Sequence, residues 1–295
     1  MPAPKMHADD IATDVALVRR LLAAQFPQWA ALPLAPVASA GTDNALYQLG
    51  DDLAVRLSRI AGAVGQIAKE HRRLPRLAPQ LPLAIPVPLA QGTPAKGYPP
   101  PWSVYRWLAG AEATRARIPD PRVLAMELAV SIAALQRIDP TAGPPSSRGV
   151  PLAARDTTVR SALAALDGLI DTGAARAAWG LALRVPVWSG PPVWSHGDLQ
   201  AGNLLLAQGR LSAAIDFGCL GVGDPACELI VAWNLLPPDA RAVFRATLAV
   251  VDATWARGRG WALSIALIAL PCYRHTNPLV AEQSRRTIAA ALTEA

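Results

Sequence analysis

The chain has little cysteine, almost no lysine and no long apolar run. Its 295 residues contain three cysteines, Cys219, Cys227 and Cys272. Their spacing gives neither a paired framework nor a metal-type cluster. They read as small buried residues of a reducing cytoplasm. The longest uncharged stretch near the C-terminus, Trp261 to Tyr273, is interrupted by Pro271 and is too short for a membrane span. Asp9, Asp10 and Asp14 come early and no apolar core accompanies them, so no secretory leader is expected. The patterns G-x-x-x-x-G-K-[ST], H-E-x-x-H and G-x-S-x-G do not occur, which excludes the chemistries they mark. The formal net charge is +6 and nearly all of the 28 basic residues are arginine. They are scattered, without a basic block or interleaved aromatics, so the charge reads as a solvated surface rather than a nucleic-acid footprint.

What is present concentrates in residues 196 to 218, HGDLQAGNLLLAQGRLSAAIDFG. Asp198, Asn203 five positions later and Asp216 opening an Asp-Phe-Gly have the layout of a phosphoryl-transfer site. One carboxylate orients a hydroxyl nucleophile there, and the other two groups hold magnesium. Leu204 to Leu206 and Leu211 to Ile215 are apolar runs flanking Ala207 to Arg210, which predicts a β-hairpin with a four-residue loop. With Leu206 opposite Leu211, Asp216 falls diagonally from Asn203, roughly 7–8 Å away. Asp198 precedes the first strand in a loop.

Around this stretch the spacing predicts an N-terminal amphipathic helix over 9–29, then two or three short strands over 37–57. A helix follows over 62–77, with Glu70 on its apolar face, and a strand over 102–108. From Pro121 the pattern is mostly helical. Asp120 is the expected cap and Pro121 the first residue of a helix over 123–138. Further helices are expected over 157–170, 174–183, 225–235, 238–257, 261–270 and 280–292.

The motifs His196-Gly197-Asp198, Asn203, Asp216-Phe217-Gly218 and Gly223-Asp224-Pro225 make the chain similar to the aminoglycoside phosphotransferase family. The resemblance runs from about Ala40 to the last helices and is most specific over 193–235. It implies an α+β, bilobal protein-kinase-like fold. Residues 1–105 would form a small β-rich lobe and residues 106–295 a larger, mostly helical lobe, with ATP in the cleft. Asp198 would then be the catalytic base, Asn203 and Asp216 the magnesium ligands, and His196 and Asp224 structural supports of the catalytic loop. GTP in place of ATP stays open.

The resemblance also asks which residue holds the phosphates. Kinases use a strand lysine paired with a helix glutamate. The three lysines, Lys5, Lys69 and Lys96, lie on no predicted strand. Arg56 stands at that position, with Glu70 as its partner. The alternative for Arg56 is an exposed charge on an edge strand. No G-x-G-x-x-G is present; the Gly41–Asn44 turn, with Thr42, takes its place or is a plain hairpin turn. Val104 to Gly110 resembles a kinase hinge, where the Arg106 carbonyl and Leu108 amide would meet the adenine.

The acceptor is less marked. After Leu229 the chain has four acids, Asp239, Asp252, Glu282 and Glu294, against seven arginines. A polycation such as an aminoglycoside calls for carboxylates, so this balance argues mildly against one. Trp233, Trp255 and Trp261 line a pocket for a bulkier acceptor or, for at least two of them, pack the core. The family also contains kinases of macrolides, choline, homoserine and sugars. The expectation is an ATP- and magnesium-dependent kinase of a small-molecule hydroxyl, with antibiotics among the acceptors. It would be a cytoplasmic monomer or homodimer without membrane or nucleic-acid partners. The rival reading is a non-catalytic nucleotide-binding pseudokinase.

Overall fold

The structure is a computed structural model that describes residues 11–37, 44–60, 64–95 and 97–293. Two compact units are present, Met1–Gly110 with Ser212–Gly218, and Ala111–Leu211 with Cys219–Ala295.

The first unit begins with α1 (Val15–Gln25), shorter than the expected 9–29. Asp14 sets its start by accepting a hydrogen bond from the Leu17 amide at 2.6 Å. Pro27 then limits the chain to one turn of 3₁₀ helix, Pro27–Trp29. The strands β1 (Leu34–Pro36), β2 (Asn44–Leu49) and β3 (Leu53–Ser58) follow, then α2 (Val64–Leu77), β4 (Pro88–Gly92) and β5 (Trp102–Arg106). The five strands form one antiparallel sheet in the order β1-β2-β3-β5-β4. Alternation along β3 gives the sheet two different faces. Val55 and Leu57 join Leu17, Val18, Leu21 and Leu22 of α1 in an apolar core with Tyr47, Trp102 and Val104. Arg56, between them in sequence, takes the opposite face, toward α2. The segment 212–218 belongs to this unit because it bonds to it. Ala214 donates its amide to the Ala84 carbonyl at 3.0 Å, and Lys69 donates to the Gly218 carbonyl at 2.6 Å.

The second unit holds β6 (Ala111–Glu112), α3 (Pro121–Gln136), α4 (Asp156–Ala165), α5 (Thr172–Arg184), β7 (Val193–Ser195), β8 (Leu204–Ala207) and the start of β9 (Arg210–Ala214). After it come β10 (Gly221–Gly223), α6 (Val231–Asn234), α7 (Pro238–Leu248), α8 (Asp252–Tyr273) and α9 (Pro278–Leu292). Asp120 caps α3 as expected, accepting from the Arg122 and Val123 amides.

Further details depart from the sequence reading. The turn between β8 and β9 has two residues rather than four. Gln208 and Gly209 have φ of 51° and 76°, the two positive angles of a type I′ turn, and the glycine makes the second costless. Residues 225–235 are 3₁₀ helix over Pro225–Ile230 followed by a single α turn. The break expected near 258–260 lies earlier. Ala249 ends α7 in the left-handed region, and α8 runs unbroken for 22 residues. Nothing but an alanine marks that stop, so composition does not show it. α8 is buried on most sides and packs on α4, α5 and α9. Trp233 and Trp261 are in the core and Trp255 is half-buried. Cys227 is buried, whereas Cys272, at the end of α8, is exposed, contrary to the reading of all three cysteines as interior. Among the described residues no helix is long and apolar enough to cross a membrane.

Candidate active site

In the first unit the site is built on β3, α2 and the 212–218 segment. Arg56 Nη1 lies 2.7 and 2.8 Å from the two oxygens of Glu70. Its Nη2 donates to Gln66 Oε1 and to Asp216 Oδ1, both at 3.2 Å. Tyr105 on β5 donates its hydroxyl to Glu70 Oε2 at 2.5 Å. Arg56 and Glu70 are buried, at 8% and 1% exposure, so Arg56 is not the exposed edge charge of the alternative reading. Burial alone works against the guanidinium charge. The Glu70 carboxylate, followed by Asp216 and Tyr105, outweighs it, and the affinity of Arg56 for its proton rises. Burial likewise raises the Tyr105 phenol, with the Glu70 charge adding to it. Tyr105 therefore stays a neutral donor. Asp216 has φ of 62° and keeps 37% of its side chain exposed. An aspartate in the left-handed region is uncommon and marks a position held by its surroundings. Here the Arg56 contact and the Lys69–Gly218 bond hold it on both sides.

At the end of β5 the Trp107 amide bonds to the Asp52 carbonyl at 2.7 Å, while the Arg106 amide bonds to Val87 at 3.0 Å. Successive residues thus face opposite neighbours, and the Arg106 carbonyl points to the same side as its own amide, away from β3. Thr42 and the Gly41–Asn44 turn, apart from Asn44 itself, lie outside the described residues, as do Lys5 and Lys96.

The second unit carries the His196-Gly197-Asp198 segment and Asn203. β7 pairs with β10, Ser195 opposite Gly221, and delivers the chain into His196-Gly197-Asp198. The His196 ring accepts from the Asp198 amide through Nδ1 at 3.2 Å. Asn203 donates Nδ2 to the Asp198 carbonyl at 2.9 Å and to Asp198 Oδ2 at 3.3 Å. Gln200 Nε2 reaches the same Oδ2 at 3.2 Å. With its nitrogen turned to Asp198, the Asn203 amide presents its oxygen in the other direction. Asp224 caps the 3₁₀ helix through the Ala226 amide at 2.9 Å and takes a two-pronged bond from Arg257, at 2.6 and 3.2 Å.

Two supports here were not singled out in the sequence. Glu228 is fully buried and accepts the Gly197 amide at 2.7 Å. Burial pushes its carboxyl up, offset in part by His196 and by the amides of Gly197 and His196. An acid inside the run Ala226 to Val231 was the signal that could have found it. Arg257 is the other, 4% exposed on α8. Removing Asp224 would strand this guanidinium in the interior. Asp224→Ala is expected to lose about 3–5 kcal/mol of stability, seen as a lower thermal midpoint, whereas Asp224→Asn keeps the cap and loses less.

Among the described residues no three His, Cys, Asp or Glu side chains gather closely enough to hold a metal.

The phosphotransferase enzyme family matches residues 35–261. The chain belongs to this family. A curated relative, an aminoglycoside 3'-phosphotransferase of Escherichia coli, is 42% identical over 45 residues, which is 15% of this chain and 17% of that protein. The GDP complex of an aminoglycoside 2'-phosphotransferase-IIIa variant superposes with a TM-score of 0.75 at 17% identity, covering 94% of this chain and 97% of that one. The macrolide 2'-phosphotransferase of Brachybacterium faecium gives a TM-score of 0.63 at 21% identity, covering 94% and 98%. These likenesses establish the kinase-like fold for this family member, a β-rich unit and a helical unit.

Proposed function

We propose that this family member transfers the γ-phosphoryl group of a nucleoside triphosphate to a hydroxyl of a small molecule. The observation that carries the reading is the way Asp198 is held. Its carbonyl and one carboxylate oxygen are tied to Asn203, Gln200 reaches the same oxygen, its amide donates to His196, and the group itself is only part-buried. A carboxylate fixed in this manner is prepared to take the proton of an incoming hydroxyl as the new O–P bond forms and the bond to the departing diphosphate breaks. Arg56, oriented by Glu70, meets the phosphates. The Arg106 carbonyl and Leu108 amide meet the base. Asn203 and Asp216 would each offer an oxygen to magnesium, which would neutralise phosphate charge. His196, Glu228 and Asp224 keep the backbone in place.

Relatives named for aminoglycosides and macrolides direct the first choice of acceptor. The charge argument against a cation weakens here, because Arg241 and Arg257 are buried and bonded internally. They do not face an acceptor.

The test is a screen for diphosphate release with ATP and with GTP against aminoglycosides and macrolides. Release that depends on the acceptor is expected. Nucleotide binding without release for any acceptor would replace this reading by a non-catalytic nucleotide-binding protein. A companion expectation concerns Asp216→Ala. Calorimetry should show nucleotide binding that no longer strengthens when magnesium is added; an unchanged magnesium effect would remove Asp216 from the role.

A further inference from the structure

Residues 143–149 form a loop laid against β10 by backbone bonds. The Val222 amide donates to the Pro144 carbonyl at 2.8 Å, Ser146 to Val222 at 2.9 Å, and Asp224 to Gly149 at 3.1 Å. The approach is so close that side chains are excluded from it. A Cβ on Gly223 would lie 2.6 Å from the Gly149 Cα, and one on Gly221 would lie 2.7 Å from the Ser146 Cα. The loop thus lies along β10, whose other edge carries β7, the strand that runs directly into His196-Gly197-Asp198. Ser146 fixes the next step by accepting the Arg148 amide through its hydroxyl at 3.1 Å. The Arg148 side chain then places Nη1 3.7 Å from Asp198 Oδ1.

That contact divides the Asp198 carboxylate. Gln200 and Asn203 hold Oδ2, and Arg148 faces Oδ1. Arg148 also has Arg155 close by, bound to Ser264 and stacked on Trp261. Arg148 lowers the proton affinity of Arg155, second to burial. Two neighbouring guanidinium groups repel, so a loop that brings Arg148 here meets a cost that an anion opposite it offsets. The anion it faces is Asp198.

We infer that Arg148 is a positioning residue for phosphoryl transfer: from the 143–149 loop it fixes the Asp198 carboxylate in the orientation that receives the acceptor hydroxyl. The inference rests on the proposed role of Asp198. A carboxylate free to rotate loses the alignment on which transfer depends, and a displacement of about 1 Å can cost on the order of 100-fold in rate.

The test uses the full chain with Arg148→Met and Arg148→Lys. With an acceptor that the wild type phosphorylates, Arg148→Met is expected to lower kcat by about 10- to 100-fold. The KM for nucleotide should stay close to wild type. Arg148→Lys, or guanidinium added to the Met variant, should restore part of kcat. Wild-type kcat in Arg148→Met would overturn the inference, and so would a loss that neither lysine nor guanidinium relieves. An inactive wild type would fail the proposed function alone. For that case a crystal structure of Arg148→Met decides: a rotated Asp198 carboxylate supports the inference, and an unmoved one overturns it.

Discussion

Asp198→Asn is expected to abolish phosphate transfer while nucleotide affinity stays near that of the wild type. The change keeps the size of the side chain and its contacts with Asn203 and Gln200 but removes the proton acceptor. General-base assistance contributes roughly 10²–10⁴-fold, and a neutral amide also loses its attraction for Arg148 at 3.7 Å. Both effects fall on kcat. Steady-state diphosphate release and calorimetric nucleotide titration, run on one preparation, separate them from misfolding. Turnover within tenfold of the wild type would remove Asp198 from the reaction. Loss of nucleotide binding together with turnover would instead assign Asp198 to binding.

Arg56→Met is expected to damage both stability and nucleotide binding. It leaves Glu70 buried at 1% exposure with only the Tyr105 hydroxyl among its described side-chain partners. Breaking one side of a buried ion pair costs about 3–5 kcal/mol, while replacing both sides by apolar residues of similar volume is often near neutral. The double change Arg56→Met with Glu70→Leu should therefore recover most of the denaturant stability lost in the single variant. It should not recover nucleotide binding, because the charge proposed to meet the phosphates is gone from both. Recovered binding in the double variant would show that Arg56 stabilises the unit without meeting phosphate. Arg56→Lys tests the geometry separately: one ammonium cannot reach both Glu70 oxygens, Gln66 and Asp216 as the fork does.

The sequence was most legible where a contact depends on the period of a single element. The helical period of α2 put Glu70 inward, where it meets Arg56. Legibility fell where a residue works by contact across the fold. Glu228 is 31 positions from the Gly197 amide it accepts, and Arg257 is 33 from Asp224. No local pattern links either pair. Arg148 is 50 positions from Asp198 and comes from a loop with no regular element. Its signal was indirect, in glycines at 149, 221 and 223 that permit two backbones to touch. The α7–α8 boundary was hidden for a different reason. A left-handed alanine, Ala249, ended α7 where glycine would normally announce a stop. The turn after β8 was misjudged by two residues because Ala207 and Arg210 have no strong strand preference of their own. Their pairing is imposed by Gln208-Gly209.

The most direct measurement follows a label from nucleotide to acceptor. The wild-type chain, and Asp198→Asn beside it, are incubated with magnesium, γ-labelled ATP or GTP and an aminoglycoside or macrolide. Label covalently attached to an acceptor hydroxyl with the wild type, and none with Asp198→Asn, is the predicted result. Label that remains in the nucleotide with the wild type for every acceptor, or that reaches the acceptor equally with both proteins, would contradict the account.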